Sequence, residues 1–314
     1  MKKKYYYNLR VGILNSFFEN SEKTVFSEAS IEEIQDYLGV SVKMVSYSFP
    51  KFLDFLISNS FLMKLSFDIT SPPSRKQVYT SQYFHKKSEY DKFIEVFYTI
   101  YPKGYFTHYT AMRYYKLTDQ LPKSIYINKE QQFISKESVK YEKEHLVQSS
   151  IDTALQKKIK TRNATLSLFN HIGFKISGKN TQNIGTTSVY IGGIKVKITS
   201  IERTLVDIMV HQEFSGGAGE VFNAYLKTYK LYNLGEINFS INKIIRILKK
   251  LNYIYPYYQS IGFLLEKVGF DTTKFKQEFK INHRFYLVRE KQIEELQYIE
   301  DWNLYVPKNL NQFF

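Results

Sequence analysis

The densest group of polar and charged residues is the segment TSIERTLVDIMVHQEFSGGAGEV, which begins at Thr199. Thr199 or Ser200 can cap a helix that carries Glu202, Arg203 and Asp207. Residues 203 and 207 are four apart, so a guanidinium and a carboxylate can pair on one helix face. A partly buried arginine can also organise neighbouring backbone carbonyls. We therefore favour a role in structural organisation for this cluster over direct chemistry.

The same segment contains three glycines near its end, at positions 216, 217 and 219. They predict a flexible turn that opens the next helix, where backbone amides can hold a phosphate or a carboxylate. However, no lysine follows as in a nucleotide-binding loop. A tight connection between two helices explains Gly216 and Gly217 equally well.

The common catalytic signatures are absent from the chain, including GxxxxGK[ST], GxGxxG after a strand, HExxH and GxSxG. The six histidines are scattered, without the spacing of metal ligands. A metal-dependent nuclease needs acidic residues and a lysine at a strand end, and IKVKITSIE supplies Lys195, Lys197 and Glu202 without a second clear acid. We predict no catalytic residues, no metal and no cofactor.

Length and composition indicate a folded protein of two or three domains, with 314 residues, 43% hydrophobic and 24% charged. Cysteine is absent, which excludes disulfides, zinc-thiolate sites and a cysteine nucleophile. The start, MKKKYYYNLRVGIL, lacks the apolar region of a signal peptide. No stretch approaches the roughly 18 apolar residues of a membrane span. These features predict a cytoplasmic protein with no membrane partner.

The formal net charge of +14 favours a polyanionic partner, although the lysine-rich usage of a low-GC genome explains it equally well. The net charge is +3 over residues 1–90, +9 over 91–200 and +2 over 201–314. If nucleic acid is bound, the central segment is therefore expected to supply much of the attraction to phosphates.

The N-terminal region has the pattern of helix, turn and helix. Residues 5–19 predict a first helix, and Ser30 with Glu33 forms a capping box that opens a second, SIEEIQDYLG. Gly39 suits a left-handed C-terminal cap, and Ser41 can cap a third helix soon afterwards.

The third helix is the predicted recognition helix. Its apolar residues fall on one face, which leaves Lys43, Ser46, Tyr47 and Lys51 on the opposite face as candidate DNA contacts. Pro50 is the main objection, because it removes a backbone donor and can kink or split the helix.

Two alternating strands follow, FLMKLSF and QVYTSQYF, joined by the segment DITSPPSRK. Its prolines oppose regular structure, so Arg75 and Lys76 are expected to project from a loop as wing contacts. We predict a winged helix-turn-helix domain over residues 1–88 that binds DNA, by analogy of fold. Some such units instead mediate protein contacts.

The rest of the chain predicts an α+β domain over residues 89–314. Residues 89–101 and TAMRYYKL have helical periodicity, as do FNAYLKTYKL, INKIIRILKKL and SIGFLLEKVGF. The segments SIYINKE, FKISGK, TSVYIGG and IKVKITS alternate like strands of a sheet.

The cluster also carries a resemblance to a known family. TSIERTLVD followed by SGGAGEVFNAY resembles the pattern of the AbiEi antitoxins. The similarity extends upstream through YFTHYTAMRYYKLTDQLPKSIYI and downstream through YPYYQSIGFLLEKVGF and WNLYVPKNL, and so covers most residues from about 90 to 310.

The resemblance implies an antitoxin of a bicistronic type IV toxin-antitoxin system, used in phage defence by abortive infection. The partner is a nucleotidyltransferase-like toxin, which such antitoxins counteract without necessarily forming a stable complex. The antitoxin is not an enzyme, and its winged helix binds inverted repeats at its own promoter as a repressor, with two protomers expected per repeat. The antitoxin core is then marked, through helix packing, by Thr199, Glu202, Arg203, Asp207, Gly216 and Gly217.

Alternatives stay open. The basic central segment can contact RNA or DNA that the toxin would modify. The protein can instead be a transcription factor whose second domain senses a small ligand, or a DNA-processing nuclease or its accessory subunit.

Overall fold

The structure, a computed structural model, describes residues 2–42, 44, 46–70, 72–131, 140, 142–156, 164–178, 180–289 and 293–313. It has a mixed α+β fold, as the sequence predicts. Within these residues, no helix is both long and apolar enough to cross a membrane.

The described chain contains both helices and strands. The helices are α1 (Lys2–Asn20), α2 (Glu28–Leu38), α3 (Phe49–Ser58), α4 (Glu89–Ile100), α5 (Tyr109–Tyr114), α6 (Gln148–Gln156), α7 (Ile201–Val210), α8 (Ala218–Asn233), α9 (Ile241–Leu251), α10 (Tyr257–Val268) and α11 (Thr273–Glu278). The strands are β1 (Val25–Phe26), β2 (Leu62–Thr70), β3 (Pro73–Ser81), β4 (Tyr105–Phe106), β5 (Ser124–Asn128), β6 (Leu166–Leu168), β7 (His171–Ile176), β8 (Thr186–Ile191), β9 (Ile194–Thr199), β10 (Phe285–Tyr286), β11 (Leu296–Ile299) and β12 (Leu304–Pro307). They form sheets of order β1-β3-β2, β6-β7-β5-β4-β9-β8 and β10-β12-β11.

The chain divides into two compact units. The first unit is Met1–Gly104 with Asn163–Phe174 and Ser188–Val196, so it continues through α4, beyond residue 88 where the sequence predicts the boundary. The second unit is Tyr105–Arg162 with Lys175–Thr187 and Lys197–Phe314.

The N-terminal part of the first unit has its own apolar core, where Leu14 and Phe18 of α1 pack with residues of α2, α3 and β2. A buried carboxylate also links α4 to β1 through hydrogen bonds. Glu95 of α4 accepts hydrogen bonds from the amides of Thr24 and Val25, at 2.5 and 3.0 Å, and pairs with Lys87 at 2.7 Å. The start of β1 is therefore fixed to α4 by a fully satisfied acid.

Helix α2 begins one turn earlier than predicted. Its N-cap is Ser27, whose backbone is extended and whose hydroxyl accepts a hydrogen bond from the Ser30 amide at 3.2 Å. The predicted cap at Ser30 is therefore wrong. Gly39 is also not a left-handed cap, because its φ of −53° is right-handed. The helix end is instead closed by the Val42 amide, which donates to the Leu38 carbonyl at 2.9 Å.

Helix α3 begins at Phe49, so the prediction of a helix capped by Ser41 is wrong. Pro50 explains the difference. It lacks an amide hydrogen and is tolerated only in the first turn, where that hydrogen would have no helical partner. The N-cap is Ser48, and Pro50 lies in the first turn.

The hairpin of the first unit is longer than predicted. Strands β2 and β3 pair from Leu62 opposite Ser81 to Thr70 opposite Pro73. The segment DITSPPSRK is therefore mostly strand, which corrects its prediction as a loop. Pro73 fits because it opens the strand, and β3 pairs with β1 only at residues 79 and 80, so no second neighbour needs its missing donor.

The second unit places the end of β4 beside the start of α7. Strand β4 pairs antiparallel with β5 and parallel with β9, with Phe106 opposite Ile198. Since parallel neighbours end at the same edge of a sheet, Thr107 and the helix that follows β9 meet there. This edge positions the charged cluster.

The C-terminal half of the second unit packs around a large apolar core that includes α7 to α10. The helices predicted from FNAYLKTYKL, INKIIRILKKL and SIGFLLEKVGF are confirmed. The sheet of β10, β11 and β12 was not predicted, because its strands have only two to four residues. Trp302, the only tryptophan, is buried against Gly262, where an added Cβ would lie 2.3 Å from its ring.

Candidate functional site

Helix α7 carries most of the predicted cluster and is buried at all ten positions. Its N-cap is Ser200, one of the two predicted candidates, with the hydroxyl accepting a hydrogen bond from the Arg203 amide at 3.3 Å. Glu202 lies in the first turn, where the helix dipole favours a negative charge. Charged side chains on a wholly buried helix need partners, and two of them pair with each other.

The predicted pair of Arg203 and Asp207 is confirmed. The Arg203 Nε donates to Asp207 Oδ1 at 2.6 Å, and both side chains are about 6% exposed. The second carboxylate oxygen accepts a hydrogen bond from Thr107 Oγ1 at 2.9 Å. Arg203 also donates to the carbonyl of Ile184 at 2.9 Å, which is the predicted contact with backbone. The pair therefore ties α7 to the end of β4 and to the loop before β8.

Two further buried groups extend this network. The Tyr105 hydroxyl accepts hydrogen bonds from Arg203 at 3.4 Å and from Asn128 Nδ2 at 2.5 Å. The other end of the Asn128 amide accepts from the Gly178 amide at 2.8 Å. The hydrogen-bonding groups of Arg203 thus meet protein partners on three sides.

The electrostatics of the network keep it in one charge state. Burial lowers the pKa of Arg203, but Asp207 and its hydrogen bond raise it by more, so the net pKa is above the ordinary value. Burial raises the pKa of Tyr105 to about 12, against a smaller lowering by the nearby guanidinium. Around neutral pH the arginine is charged and the tyrosine is neutral, which suits a structural network better than an acid or a base.

Thr199 also has a structural environment. Its hydroxyl shares a hydrogen bond of 2.8 Å with that of Thr204, and its carbonyl accepts from the Tyr115 hydroxyl at 2.9 Å. These contacts fix the junction between β9 and α7.

Glu202 has different surroundings from Arg203. Its carboxylate is 2% exposed and lines a cleft of about 570 Å³ in the second unit. Lys243 lies 3.4 Å away, and Arg246 of the same helix, α9, lines the cleft too. Neighbouring positions of the motif therefore have separate environments.

The glycine turn opens α8 as predicted. Gly217 is its N-cap residue, with φ of 92° and ψ of 178°, a conformation that is nearly confined to glycine. Its amide donates to the Gln212 carbonyl at 3.0 Å. At Gly216 an added Cβ would lie 2.9 Å from the Tyr109 hydroxyl. These contacts favour the tight-connection interpretation over an anion site.

A second cleft, of about 330 Å³, brings together two histidines that the sequence separates. The ring centroids of His108 and His211 are 6.0 Å apart, and His108 has φ of 51° at the turn between β4 and α5. His211 Nδ1 lies 2.9 Å from Glu213 Oε1. Within the described residues, no group of three or more histidine and acidic side chains could hold a metal ion.

The predicted DNA contacts lie on different elements rather than on one helix face. Lys51 is exposed in the first turn of α3, whereas Ser46 and Tyr47 precede that helix, which corrects the predicted face. Lys43 lies outside the described residues. Arg75 and Lys76 are exposed on β3, and lie opposite Asp68 and Phe67 of β2.

Tyr47 is half-buried and serves to hold the connection between α2 and α3. The guanidinium of Arg10 lies 5.6 Å from its ring centroid, and Arg10 Nε donates to the Val42 carbonyl at 2.8 Å. Gln35 donates to the Tyr47 carbonyl at 2.8 Å. Among the predicted contacts described here, Ser46, Lys51, Arg75 and Lys76 are the exposed ones.

No protein-family model matches the chain, and a search of curated proteins finds no match. A solved structure with a similar fold is that of the RV2827C protein from Mycobacterium tuberculosis. The two are 8% identical, with a TM-score of 0.51, over 94% of this chain and 89% of that one. At this identity the likeness concerns the fold alone, and it agrees with the α+β class.

Sequence reasoning missed Lys243 and Arg246. A usable signal was present in INKIIRILKKL, because burying Ile244, Ile247 and Leu248 leaves residues 243 and 246 on the outer face. The local sequence does not show that this face lies close to Glu202, which is more than forty residues earlier.

Proposed function

We propose that this protein is an antitoxin that also represses its own promoter. Its second unit counteracts a nucleotidyltransferase-like toxin, and its first unit binds inverted repeats in DNA. The observation that carries the antitoxin proposal is the way the blocks that resemble AbiEi antitoxins contact one another.

These blocks are far apart in sequence and are joined by polar contacts in the second unit. Thr107 donates to Asp207 at 2.9 Å, and Thr118 Oγ1 donates to Glu220 at 2.6 Å. Tyr225 donates to the Leu205 carbonyl at 3.0 Å. Gln259 donates to the Trp302 carbonyl at 2.7 Å. These contacts join the separate blocks into one connected unit, which supports a common antitoxin role for them.

The DNA-binding part rests on the order of elements in the first unit. Helices α1, α2 and α3 are followed by the long hairpin of β2 and β3, with β1 paired to β3, and this order supports the proposal of a winged helix. Lys51 at the start of α3 and Arg75 and Lys76 on the hairpin are exposed cations available to phosphates.

DNA binding is tested with the full chain and a duplex from its own promoter, by fluorescence anisotropy over a range of salt concentrations. Each phosphate contact adds about one unit to the slope of log K against log salt. Arg75→Gln with Lys76→Gln should reduce that slope by about two units. The matched control, Lys274→Gln with Lys280→Gln, removes the same charge from exposed positions of the second unit and should leave the slope unchanged. Equal slopes for both double variants would show that Arg75 and Lys76 of the hairpin do not contact DNA phosphates.

Antitoxin action is tested by growth of cells that express the adjacent gene, with this chain supplied from an independent promoter. The wild type and the Arg75→Gln, Lys76→Gln variant should both restore growth, while only the wild type represses its own promoter. Failure of both to restore growth against a toxic neighbour would refute the antitoxin assignment and leave a repressor.

The ligand-sensing transcription factor remains the second candidate. The observation that favours it is the 570 Å³ cleft beside Glu202, which falls within the usual size range of small-molecule sites. The nucleic-acid contact predicted for the basic segment 91–200 remains a proposal, tested by neutralising its exposed lysines and repeating the growth assay.

A further inference from the structure

The cleft beside Glu202 lies between the starts of two helices of the second unit. Helix α7 contributes Ser200 and Glu202, and helix α9 contributes Lys243 and Arg246. Both helices have at least ten residues, so their first turns carry partial positive charge. Hydroxyl and amide groups of Tyr115, Thr186, Thr187 and Asn238 also line the cleft, together with Ile184, Gly185, Ile201 and Ile247.

Glu202 is poorly satisfied for so buried a carboxylate. Within the described residues, its Oε1 accepts no hydrogen bond, and the cation that it pairs with is Lys243 at 3.4 Å, whose side chain is 51% exposed. An ion pair with a half-exposed lysine is partly screened by solvent and contributes little. A buried acceptor without a hydrogen-bond donor is costly and calls for an explanation.

Glu95 shows what a structural carboxylate looks like in the same protein. It is 1% exposed, as buried as Glu202, yet it accepts hydrogen bonds from the Thr24 amide and hydroxyl, the Val25 amide and Lys87. Glu202 faces a cleft instead of such a set of donors. Because Oε1 is shielded from solvent, a bound molecule reaches it by displacing the half-exposed side chain of Lys243.

Two cations of α9 line the same cleft. Lys243 and Arg246 are three residues apart on the exposed face of α9, and no carboxylate of the described chain lies within ion-pair distance of Arg246. A guanidinium presents paired donors that match a phosphate. A suitable ligand therefore combines an anionic group with hydrogen-bond donors.

We propose that this cleft binds a ribonucleotide, with its phosphate at Lys243 and Arg246 and the donor groups of its ribose or base at Glu202. A carboxylate only accepts hydrogen bonds, and ribose hydroxyls and base N–H groups supply donors for it. A free amino acid also carries both kinds of group, but it would leave most of the 570 Å³ unfilled. The proposal is independent of the antitoxin assignment, since it concerns binding alone.

The test is isothermal titration of the full chain with AMP, GMP, CMP, UMP and inorganic phosphate, each alone. At least one nucleotide should bind one to one with a Kd below about 100 μM, and inorganic phosphate should bind at least tenfold more weakly. Arg246→Gln, an exposed substitution with little effect on folding, should weaken nucleotide binding at least tenfold. Lys274→Gln, an exposed cation elsewhere in the second unit, should change nothing.

Glu202→Gln tests recognition of the ribose or base separately from recognition of the phosphate. It should weaken nucleotide binding at least tenfold without weakening inorganic phosphate, and the emission of buried Trp302 verifies that the unit is folded. The proposal is overturned if no nucleotide binds with a Kd below about 100 μM, or if Arg246→Gln binds like the wild type. It is also overturned if phosphate alone binds as tightly as every nucleotide, which would leave a simple anion site.

Discussion

Replacing Asp207 with Asn removes the charge that balances Arg203 while keeping the size of the side chain. The guanidinium would then lie within the second unit without a counterion, because its other contacts are the Ile184 carbonyl and the Tyr105 hydroxyl. Breaking a buried ion pair by removing one partner costs about 3–5 kcal/mol. We therefore expect a loss of this size in the free energy of unfolding of the second unit.

Trp302 makes the measurement specific to that unit. It is the only tryptophan of the chain and is 1% exposed, so its fluorescence in urea reports the unfolding of its own surroundings. With a urea dependence of about 2 kcal/mol per molar, the midpoint of Asp207→Asn should fall by about 1.5–2.5 M. The slope itself should be unchanged, since the same surface is exposed on unfolding.

The control is an ion pair with the same spacing and the same order of charges. Lys140 and Glu144 are also four apart, with N–O distance 3.7 Å, but their side chains are 78% and 59% exposed. Glu144→Gln should change the stability by no more than about 0.5 kcal/mol, or about 0.25 M in urea. A midpoint shift for Asp207→Asn as small as that of the control would refute the assignment of a structural role to the buried pair.

Two other predictions concern backbone strain and acid sensitivity. Gly217→Ala should destabilise the protein by about 1–3 kcal/mol, because its φ of 92° and ψ of 178° disfavour a Cβ even though no atom lies within 4 Å of one. Gly12→Ala inside α1 should instead stabilise the protein by up to about 1 kcal/mol. The thermal unfolding midpoint should therefore fall for the first variant and rise for the second, and shifts in the same direction would contradict this reasoning. Burial favours a raised pKa for Glu266, but hydrogen bonds from Lys276, Thr272 and Trp302 hold it below its ordinary value of 4.5. The stability that this carboxylate contributes is thus present above its unfolded pKa and lost as the pH falls through the lower folded pKa. Trp302 emission should change with a midpoint below 4.5, Glu266→Gln should remove that transition, and a midpoint above 4.5 would count against it.

The sequence was informative wherever one local rule acted alone. Periodicity located α9 and the strand β9, and the cap of α7 was narrowed to Thr199 or Ser200, of which Ser200 is the cap. It failed where two rules competed. The apolar spacing around residue 45 favoured a helix, but Pro50 restricts its start, and the helix begins at Phe49. The turn prolines of DITSPPSRK favoured a loop, but the pairing of β2 with β3 continues to Pro73.

The site was predictable only where its partners are close in sequence. Arg203 and Asp207 could be paired from their spacing, because residues four apart share a helix face. Thr107 and Tyr105 join the same network from a hundred residues away, through the parallel pairing of β4 with β9. Nothing in their local sequence encodes that distance. Predicting these contacts would have required knowing that β4 pairs with β9.

The motif TSIERTLVD therefore contains charges with two separable roles, and helix geometry is the reason. Consecutive residues of a helix point about 100° apart, so Glu202 and Arg203 cannot share one environment on α7. Arg203 contacts Asp207, the Tyr105 hydroxyl of β4 and the Ile184 carbonyl. Glu202 instead lines the cleft and pairs with Lys243. A change at Asp207 should consequently act through the stability of the unit, and a change at Glu202 through what the cleft binds. Glu202, which lines the cleft, is therefore the residue of this motif whose substitution tests function most directly.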